Sequence, residues 1–240
     1  MLKAAGLQTR AREIVFHGAD RGLDRGTEHY YARSLAVDEA MKPDALPVYA
    51  MNGQPLLPQH GYPLRLVVPG WYGMASVKWL THIEAVEQPF DGFQQAVTYH
   101  FKKHAGEKGV PCTLMRVNSL MAPPGIPDFY SRRRILGAGP VALSGRAWSG
   151  GGIPIARVEV SADGAWRDAR VDSPAGRFAW CRWGVDWEAA PGEHVLACRA
   201  TDTAGNVQPD QPVWDVTGFG NNAIQRVDVT VFSGNRAPDA

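Results

Sequence analysis

The residues best suited to chemistry lie in one short stretch of the sequence, residues 60–80. Three side chains that bind anions, His60, Arg65 and Lys78, flank a turn rich in small residues. Backbone N–H groups freed by the glycines of this turn, the Ser76 hydroxyl and the two fixed cations would together form a pocket for a phosphate. The alternative without a binding role is that Arg65 and Lys78 are solvated and that His60 simply occupies a turn.

Other candidate sites carry less weight. His100 and His104 are four residues apart and would chelate a metal from one helix face, but the residues around His100 favour a strand, so both are expected to be surface histidines. Ser76 and Ser119 lack His and acidic partners in any nucleophile motif. The sequence contains neither G-x-G-x-x-G nor a P-loop.

Three cysteines, Cys112, Cys181 and Cys198, cannot all pair, and none has a metal-type spacing. We expect all three to be small buried hydrophobic residues. A Cys181–Cys198 disulfide is an alternative without support, and the compartment stays open between cytoplasm and periplasm.

Composition excludes several classes of protein. The 240 residues are 45% hydrophobic and 20% charged, and the formal net charge is +1. This balance argues against nucleic-acid binding and against an acidic or basic tail, and the apolar content suffices for one or two cores. No run of 18 apolar residues predicts a membrane span, and no signal-peptide h-region follows Met1.

The chain divides into two regions by pattern. Residues 1–130 mix short apolar runs with brief helix candidates, such as the stretch 34–41, and predict a β-rich α+β domain. A change in composition at 123–140, rich in Pro, Gly and Arg, predicts the boundary. From there to residue 240, strands at regular spacing predict an immunoglobulin-like β-sandwich. Its strand candidates are 155–161, 178–183, 193–200 and 224–231, and six of the eight tryptophans, at 148, 166, 180, 183, 187 and 214, are expected in its core and rim.

The first stretch also carries a family resemblance. The pattern H-G-x-P-x-R followed by V-V-P-G-W-Y-G-x-x-S-V-K-W-L resembles the hallmark of the sulfite oxidase family. Further similar segments cover nearly the whole chain, at residues 15–20, 49–56, 155–164 and 204–209. The resemblance implies a sulfite-oxidase-type molybdopterin domain, incomplete at its N-terminus, followed by a dimerisation domain. Residues 2–5, followed by Gly6, also have the pattern of the last turn of a helix, which predicts a further segment before residue 1.

The resemblance implies a set of site residues. His60, Arg65, Ser76, Val77 and Lys78, with Asp20 as an addition, would contact a molybdenum-molybdopterin cofactor, whose pterin dithiolene ends in a phosphate. Tyr99 matches the family's active-site tyrosine. The alternative is that it is a half-buried tyrosine of a strand with only a structural role. The cysteine thiolate that binds molybdenum in the family belongs upstream of this chain, so no metal ligand is assigned.

Position 217 departs from the family pattern. In W-D-V-T-G, residues 214–218, Asp215 stands where typical sulfite oxidases have Asn, and Thr217 stands where they have a substrate-binding Arg. A dianion is attracted to a pocket mainly by such cations. Thr217 therefore removes one of the cations that the resemblance implies for binding sulfite.

The resemblance implies an oxidoreductase that transfers an oxygen atom to or from a small oxyanion, with sulfite as the leading substrate. The alternatives are a related enzyme for another sulfur compound or nitrate, and an inactive cofactor-binding and dimerisation module. The expected partners are a second copy of the chain, bound through the C-terminal sandwich, and a redox protein such as a cytochrome. No nucleic acid or membrane is expected.

Overall fold

A computed structural model describes residues 2–234 of the chain. It forms two compact units. The first contains Met1–Leu114 and Trp214–Gly220, and the second contains Met115–Val213 and Asn221–Ala240. The assignment of domains 1–130 and 131–240 stays a prediction, although the stretch 123–140 already contains strands of the second unit.

The first unit consists of short strands and two single-turn helices. Its elements are β1 (Glu13–Asp24), β2 (Thr27–Ala36), α1 (Val37–Ala40), β3 (Leu46–Val48), β4 (Ala50–Met51), β5 (Gln54–Pro55), β6 (Arg65–Val67), β7 (Leu80–Val86), α2 (Phe93–Ala96), β8 (His100–Phe101) and β9 (Val110–Pro111). One sheet has the order β2-β1-β7, and three further pairs are β3-β6, β4-β5 and β8-β9. This β-rich arrangement confirms the class predicted for the region.

The centre of the first unit lies against β1 and β2. Ile14 and Phe16 of β1 are buried with Leu66, Val77 and other apolar side chains. The helix predicted at 34–41 forms only at Val37–Ala40. Residues 34–36 instead extend β2, because pairing with β1 outweighs the weak local preference for a helix.

The second unit is a sandwich of two sheets. Its strands are β10 (Asn118–Ala122), β11 (Ile126–Pro127), β12 (Arg134–Gly137), β13 (Gly139–Trp148), β14 (Ile155–Ala162), β15 (Ala165–Asp168), β16 (Arg170–Val171), β17 (Cys181–Ala189), β18 (Gly192–Asp202) and β19 (Gln225–Phe232). One sheet has the order β10-β13-β17-β16, and the other has the order β11-β12-β19-β18-β14-β15. The predicted immunoglobulin-like sandwich is thereby confirmed.

A buried glutamine joins the two sheets. Gln208 is 1% exposed, and its Oε1 accepts hydrogen bonds from the backbone N–H of Ser119 in β10, at 2.9 Å, and of Ala200 in β18, at 3.2 Å. Its Nε2 donates to Asn118 Oδ1 at 2.9 Å and to the Ala223 carbonyl at 3.1 Å. The side chain thus satisfies backbone groups of strands in both sheets, which apolar packing cannot do.

The aromatic and sulfur residues fall into two environments. Trp183 and Trp187 belong to the sandwich core as predicted, whereas Trp214 lies in the first unit and is 72% exposed, contrary to its predicted place in the sandwich. All three cysteines are buried as expected, and burial raises the pKa of the Cys198 thiol to about 11. Cys181 and Cys198 are not joined by a disulfide.

Residues 2–234 contain no helix with the length and apolar character that crossing a membrane requires.

Candidate functional site

Backbone pairing brings three distant segments of the first unit side by side. The N–H of Leu66 donates to the Val77 carbonyl, and the N–H of Leu80 donates to the Leu64 carbonyl, both at 2.7 Å. The N–H of Ala19 donates to the carbonyl of Trp79 at 2.9 Å. Strand β1, the strand β6 region and residues 77–80 are therefore neighbours, which places six of the predicted site residues in one region.

Two glycines allow the close approach of these segments. Gly61 ends the 3₁₀ turn Pro58–His60 with φ of +102°, and a Cβ atom there would lie 3.0 Å from Lys78 Cβ and 3.1 Å from Arg65 Cβ. At Gly18, a Cβ atom would lie 2.4 Å from Asp20 Oδ1 and 2.9 Å from the Lys78 carbonyl oxygen. Only glycine fits at both positions without displacement of backbone. We call His60, Arg65 and Lys78, grouped around Gly61, the cationic cradle.

The cations of the cradle are fixed by backbone carbonyls. Arg65 donates from Nη1 to His60 O at 3.0 Å and from Nη2 to Ser76 O at 3.1 Å, with a longer bond of 3.4 Å from Nε to Leu66 O. Lys78 Nζ donates to Gln59 O at 2.8 Å. Burial lowers the pKa of Arg65. Because a guanidinium has five N–H donors and an ammonium has three, both retain donors for an anion.

Ser76 and Val77, two further predicted site residues, directly precede Lys78 of the cradle. Ser76 Oγ accepts a hydrogen bond from the N–H of Val68 at 3.1 Å, so this hydroxyl holds the turn and keeps its own hydrogen for another acceptor. Val77 is 1% exposed and packs in the core. Its role is to fix the backbone on either side of it rather than to offer a polar atom.

Two polar atoms at this site are buried without a hydrogen-bond partner among the described residues, namely His60 Nδ1 and Asp20 Oδ1. Buried polar atoms in folded proteins are nearly always paired, and each unpaired one costs about 1–3 kcal/mol. A ligand carrying both donors and acceptors would satisfy them, and a pterin with a terminal phosphate has this chemistry. The residues present therefore fit the cofactor that the sequence predicts.

Tyr99 belongs to a second group of side chains in the same unit. Its ring stacks on Phe219, with centroids 5.2 Å apart, and the Arg33 guanidinium lies 5.6 Å from its centroid. Tyr99 also acts electrostatically on Tyr31, whose hydroxyl donates to Met74 O at 2.6 Å. We call Tyr31, Arg33 and Tyr99 the phenol cluster.

The phenol cluster lies within electrostatic range of Asp20. Burial raises the pKa of Tyr31 well above its ordinary value, and the electrostatic influence of Tyr99 and Asp20 raises it further, while Arg33 opposes them. Tyr31 therefore stays a neutral hydrogen-bond donor at physiological pH. Tyr99 has φ of +50°, a conformation that is uncommon for residues other than glycine and that clusters at functional sites.

Sequence reasoning missed Tyr31 and Arg33. Both lie in β2, and the alternation of that strand gives no signal, since Ala32, Arg33 and Ser34 are all buried. Their partners are far away in sequence, as shown by the bond from Arg33 Nη1 to the carbonyl of Gln94.

The two histidines considered as metal ligands, His100 and His104, lie in different environments. His100 is 4% exposed and its Nδ1 lies 2.7 Å from Thr98 O, so the prediction that it is a surface histidine is wrong; His104 is exposed as predicted. Position 100 is buried because β8 pairs with β9 across it. The described residues, 2–234, contain no group of three or more His, Cys, Asp or Glu placed to hold a metal ion.

Thr217 lies in a turn organised by Asp215. The Asp215 carboxylate accepts hydrogen bonds from the backbone N–H of Thr217 at 3.0 Å, of Phe219 at 3.2 Å and of Lys102 at 2.5 Å. It also accepts one from the Thr217 hydroxyl. Partial burial alone would raise the pKa of Asp215, but these hydrogen bonds lower it below its ordinary value. The turn thus holds Phe219 under the ring of Tyr99, and Thr217 itself brings no positive charge.

Comparison with known proteins agrees with this geometry. Residues 1–94 match the family described as "Oxidoreductase molybdopterin binding domain", and residues 112–232 match "Mo-co oxidoreductase dimerisation domain". Mitochondrial sulfite oxidase of Homo sapiens is 34% identical over 91% of this chain and 43% of its own length. Nitrate reductase [NADH] 2 of Phaseolus vulgaris is 30% identical over 96% of this chain and 29% of its own length.

Among solved structures, the sulfane dehydrogenase SoxCD of Paracoccus pantotrophus superposes with a TM-score of 0.78 and 30% identity. The match covers 94% of this chain and 56% of the other. The chain thus spans less than half of the length of these two curated relatives.

Proposed function

The chain belongs to the molybdopterin-dependent oxidoreductase family that includes sulfite oxidase, and on this basis we propose that its cationic cradle binds the pterin and phosphate of a molybdenum cofactor. One observation carries the proposal. Asp20 and His60 each present a buried polar atom without a partner at the place where Arg65 and Lys78 are fixed with donors to spare. A purely apolar ligand would satisfy neither feature.

Each residue has a distinct part in this proposal. Arg65 and Lys78 bind the phosphate, His60 and Asp20 hydrogen-bond the heterocycle, and Ser76 orients the turn while donating its hydroxyl hydrogen. Val77 sets the position of Lys78 through its place in the core. Molybdenum, when bound, supplies oxygen-atom transfer coupled to two-electron redox chemistry.

The substrate we propose is a small sulfur oxyanion, with conversion of sulfite to sulfate as the first reaction to test. Tyr99 is the residue that contacts it, because its phenol is half-buried and its ring is held by stacking on Phe219. A phenol donates a hydrogen bond to an anionic oxygen without carrying a charge of its own at neutral pH.

Position 217 favours a second candidate function, in which the protein is an enzyme of the same family that acts on another sulfur compound or on nitrate. Its threonine supplies no cation for a dianion, and the similar proteins include nitrate reductases and a sulfane dehydrogenase. Assays of the complete protein with sulfite, nitrate and a sulfane compound separate these substrates. Absence of turnover with all three, together with retained cofactor binding, would instead support a non-enzymatic cofactor-binding and dimerisation module.

Cofactor content tests the central proposal. The double variant Arg65→Ala, Lys78→Ala is expected to lose most of its pterin, measured by the fluorescence of the pterin released on denaturation. The control is Arg21→Ala, Lys42→Ala, which removes two exposed cations that pair with Glu28 and Glu39. Unchanged pterin content in the first variant would refute the assignment, provided that its thermal unfolding stays close to that of the control.

We also propose that the second unit associates with a second copy of the chain and that a redox protein accepts the electrons. The match of residues 112–232 to a dimerisation domain supports the first statement. Light scattering of the purified chain should give a mass near 52 kDa, about twice the 26.1 kDa of one copy. A mass near 26.1 kDa at micromolar concentration would contradict it.

A further inference from the structure

Arg33 is a nearly inaccessible cation in the interior of the first unit. It lies in β2 and is 3% exposed. Its Nη1 donates to the carbonyl of Gln94, whereas its Nε is buried without a hydrogen-bond partner among the described residues. None of the ion pairs described for residues 2–234 includes Arg33.

The groups around Arg33 do not neutralise it. The groups whose charge acts on Arg33 are the Tyr31 and Tyr99 phenols and the Cys112 thiol, and none of them is a carboxylate. Burial lowers the pKa of Arg33, although a guanidinium keeps its charge at pH 7. A buried positive charge without a counter-ion is expensive, so folded proteins rarely keep one unless something binds it.

The position of Arg33 points to a small anion. Its guanidinium lies 5.6 Å from the centre of the Tyr99 ring, and the Tyr31 hydroxyl beside them is already committed to Met74 O. One cation and the Tyr99 phenol thus meet in one place, which is a donor set for an oxyanion. Because Arg33 is only 3% exposed, an anion that binds it must be small enough to be enclosed within the unit.

We propose that Arg33 is the guanidinium that binds the anionic substrate beside Tyr99. This inference rests on the proposed function, because it assigns a substrate contact within the same site. It adds a specificity-determining residue in β2 and accounts for a charge that neither the cationic cradle nor the turn at Thr217 explains. The ligand class is a tetrahedral or trigonal oxyanion, and the chemistry that recognises it is a planar, fixed cation assisted by a phenol donor.

The test measures anion binding directly, with the full chain and with sodium sulfate as the probe in isothermal titration calorimetry. Arg33→Gln is expected to weaken sulfate binding at least about tenfold, and Arg33→Lys less, because an ammonium keeps the charge but loses the planar fork. Arg21→Gln, on the exposed part of the same sheet, is expected to bind sulfate within about twofold of the wild-type chain.

Two further readouts complete the test. Pterin content in Arg33→Gln should equal that of the wild type, since the cationic cradle is intact. Unchanged sulfate affinity in Arg33→Gln would overturn the inference, as would absence of sulfate binding by the wild type. A loss of pterin equal to that of Arg65→Ala, Lys78→Ala would also overturn it, since Arg33 would then serve the cofactor.

The failure of this inference and that of the proposed function are distinguishable. The Arg33 variants report on sulfate affinity and the Arg65→Ala, Lys78→Ala variant reports on pterin content, so each set of variants tests its own site. If Arg33→Gln unfolds, Arg33→Lys retains the charge and provides the comparison in a folded chain.

Discussion

Gly61 approaches Lys78 so closely that a Cβ atom at position 61 would lie 3.0 Å from the Cβ of Lys78 and 3.1 Å from its Cα. The backbone of Gly61 has φ of +102°, which adds strain for any other residue. Gly61→Ala should therefore destabilise the first unit by at least about 1 kcal/mol and displace Lys78. Pterin content should fall in parallel.

Gly22→Ala is the matched control for this substitution. Position 22 also lies in the first unit, a Cβ atom there has no neighbour within 4 Å, and its φ is not positive. Denaturant unfolding and pterin fluorescence of the two variants give the comparison. Equal stability and equal pterin content in both would show that the approach of Gly61 to Lys78 does not shape the cradle.

The glutamine that joins the two sheets of the sandwich predicts a large loss of stability. Gln208→Ala removes the acceptor for the N–H groups of Ser119 and Ala200 and leaves both without a partner in the interior. We expect a loss of about 2–4 kcal/mol in the free energy of unfolding, measured with denaturant. Gln211→Ala, whose side chain contacts only exposed Asp210, should cost less than about 0.5 kcal/mol.

The carboxylate of Asp215 predicts a link between a turn and the proposed substrate tyrosine. Asp215→Ala should release the turn, remove the support of Phe219 for Tyr99 and cost about 1–2 kcal/mol. Asp215→Asn keeps one oxygen acceptor and should recover most of this. The comparison uses unfolding together with the near-ultraviolet circular dichroism of the aromatic residues. An unchanged aromatic spectrum in Asp215→Ala would contradict the proposed support.

The ion pair of His194 with Asp163 predicts a pH dependence in the second unit. His194 Nδ1 lies 2.6 Å from Asp163 Oδ2, and this hydrogen bond raises the pKa of His194 above its ordinary 6.5. A raised pKa stabilises the fold fully below pH 6.5, and the contribution disappears as pH rises through the folded-state pKa. The stability difference between wild type and His194→Gln should thus be larger at pH 6 than at pH 9, with a maximum of about 1 kcal/mol.

A second substitution checks that the pair is responsible. Asp163 has its pKa lowered, first by the N–H of Val195 and then by His194, so its own contribution is lost only as pH falls below 3.8. Asp163→Asn should remove the same difference between pH 6 and pH 9 as His194→Gln. A difference independent of pH over that range would refute the assignment to the pair.

Features of the fold and of the candidate site could be predicted where the residues that form them lie close together in the sequence. The segment from His60 to Lys78 could be identified because its glycines, cations and serine occur together in sequence and meet in one cradle. Strand β19 of the sandwich was predictable because its alternation of buried and exposed residues is local.

Arg33 could not be found in this way. Its burial depends on Gln94 and Tyr99, more than sixty residues away, and arginine in a strand is usually exposed. The burial of His100 and the place of Trp214 depend equally on pairing with remote segments. Such long-range contacts determine the surroundings of Arg33 and Tyr99, where we propose that the substrate binds, so composition and spacing give little information about them.

The route of the chain has a consequence for synthesis and for engineering. Trp214–Gly220 belongs to the first unit although the chain before and after it belongs to the second. A ribosome therefore completes the first unit only after nearly all of the second has been made, and neither unit can be excised by a single cut. A protease cut after Leu114 would separate Tyr99 from Phe219, whose ring stacks on it. A first unit isolated in this way must therefore be supplied with Trp214–Gly220 as a separate peptide.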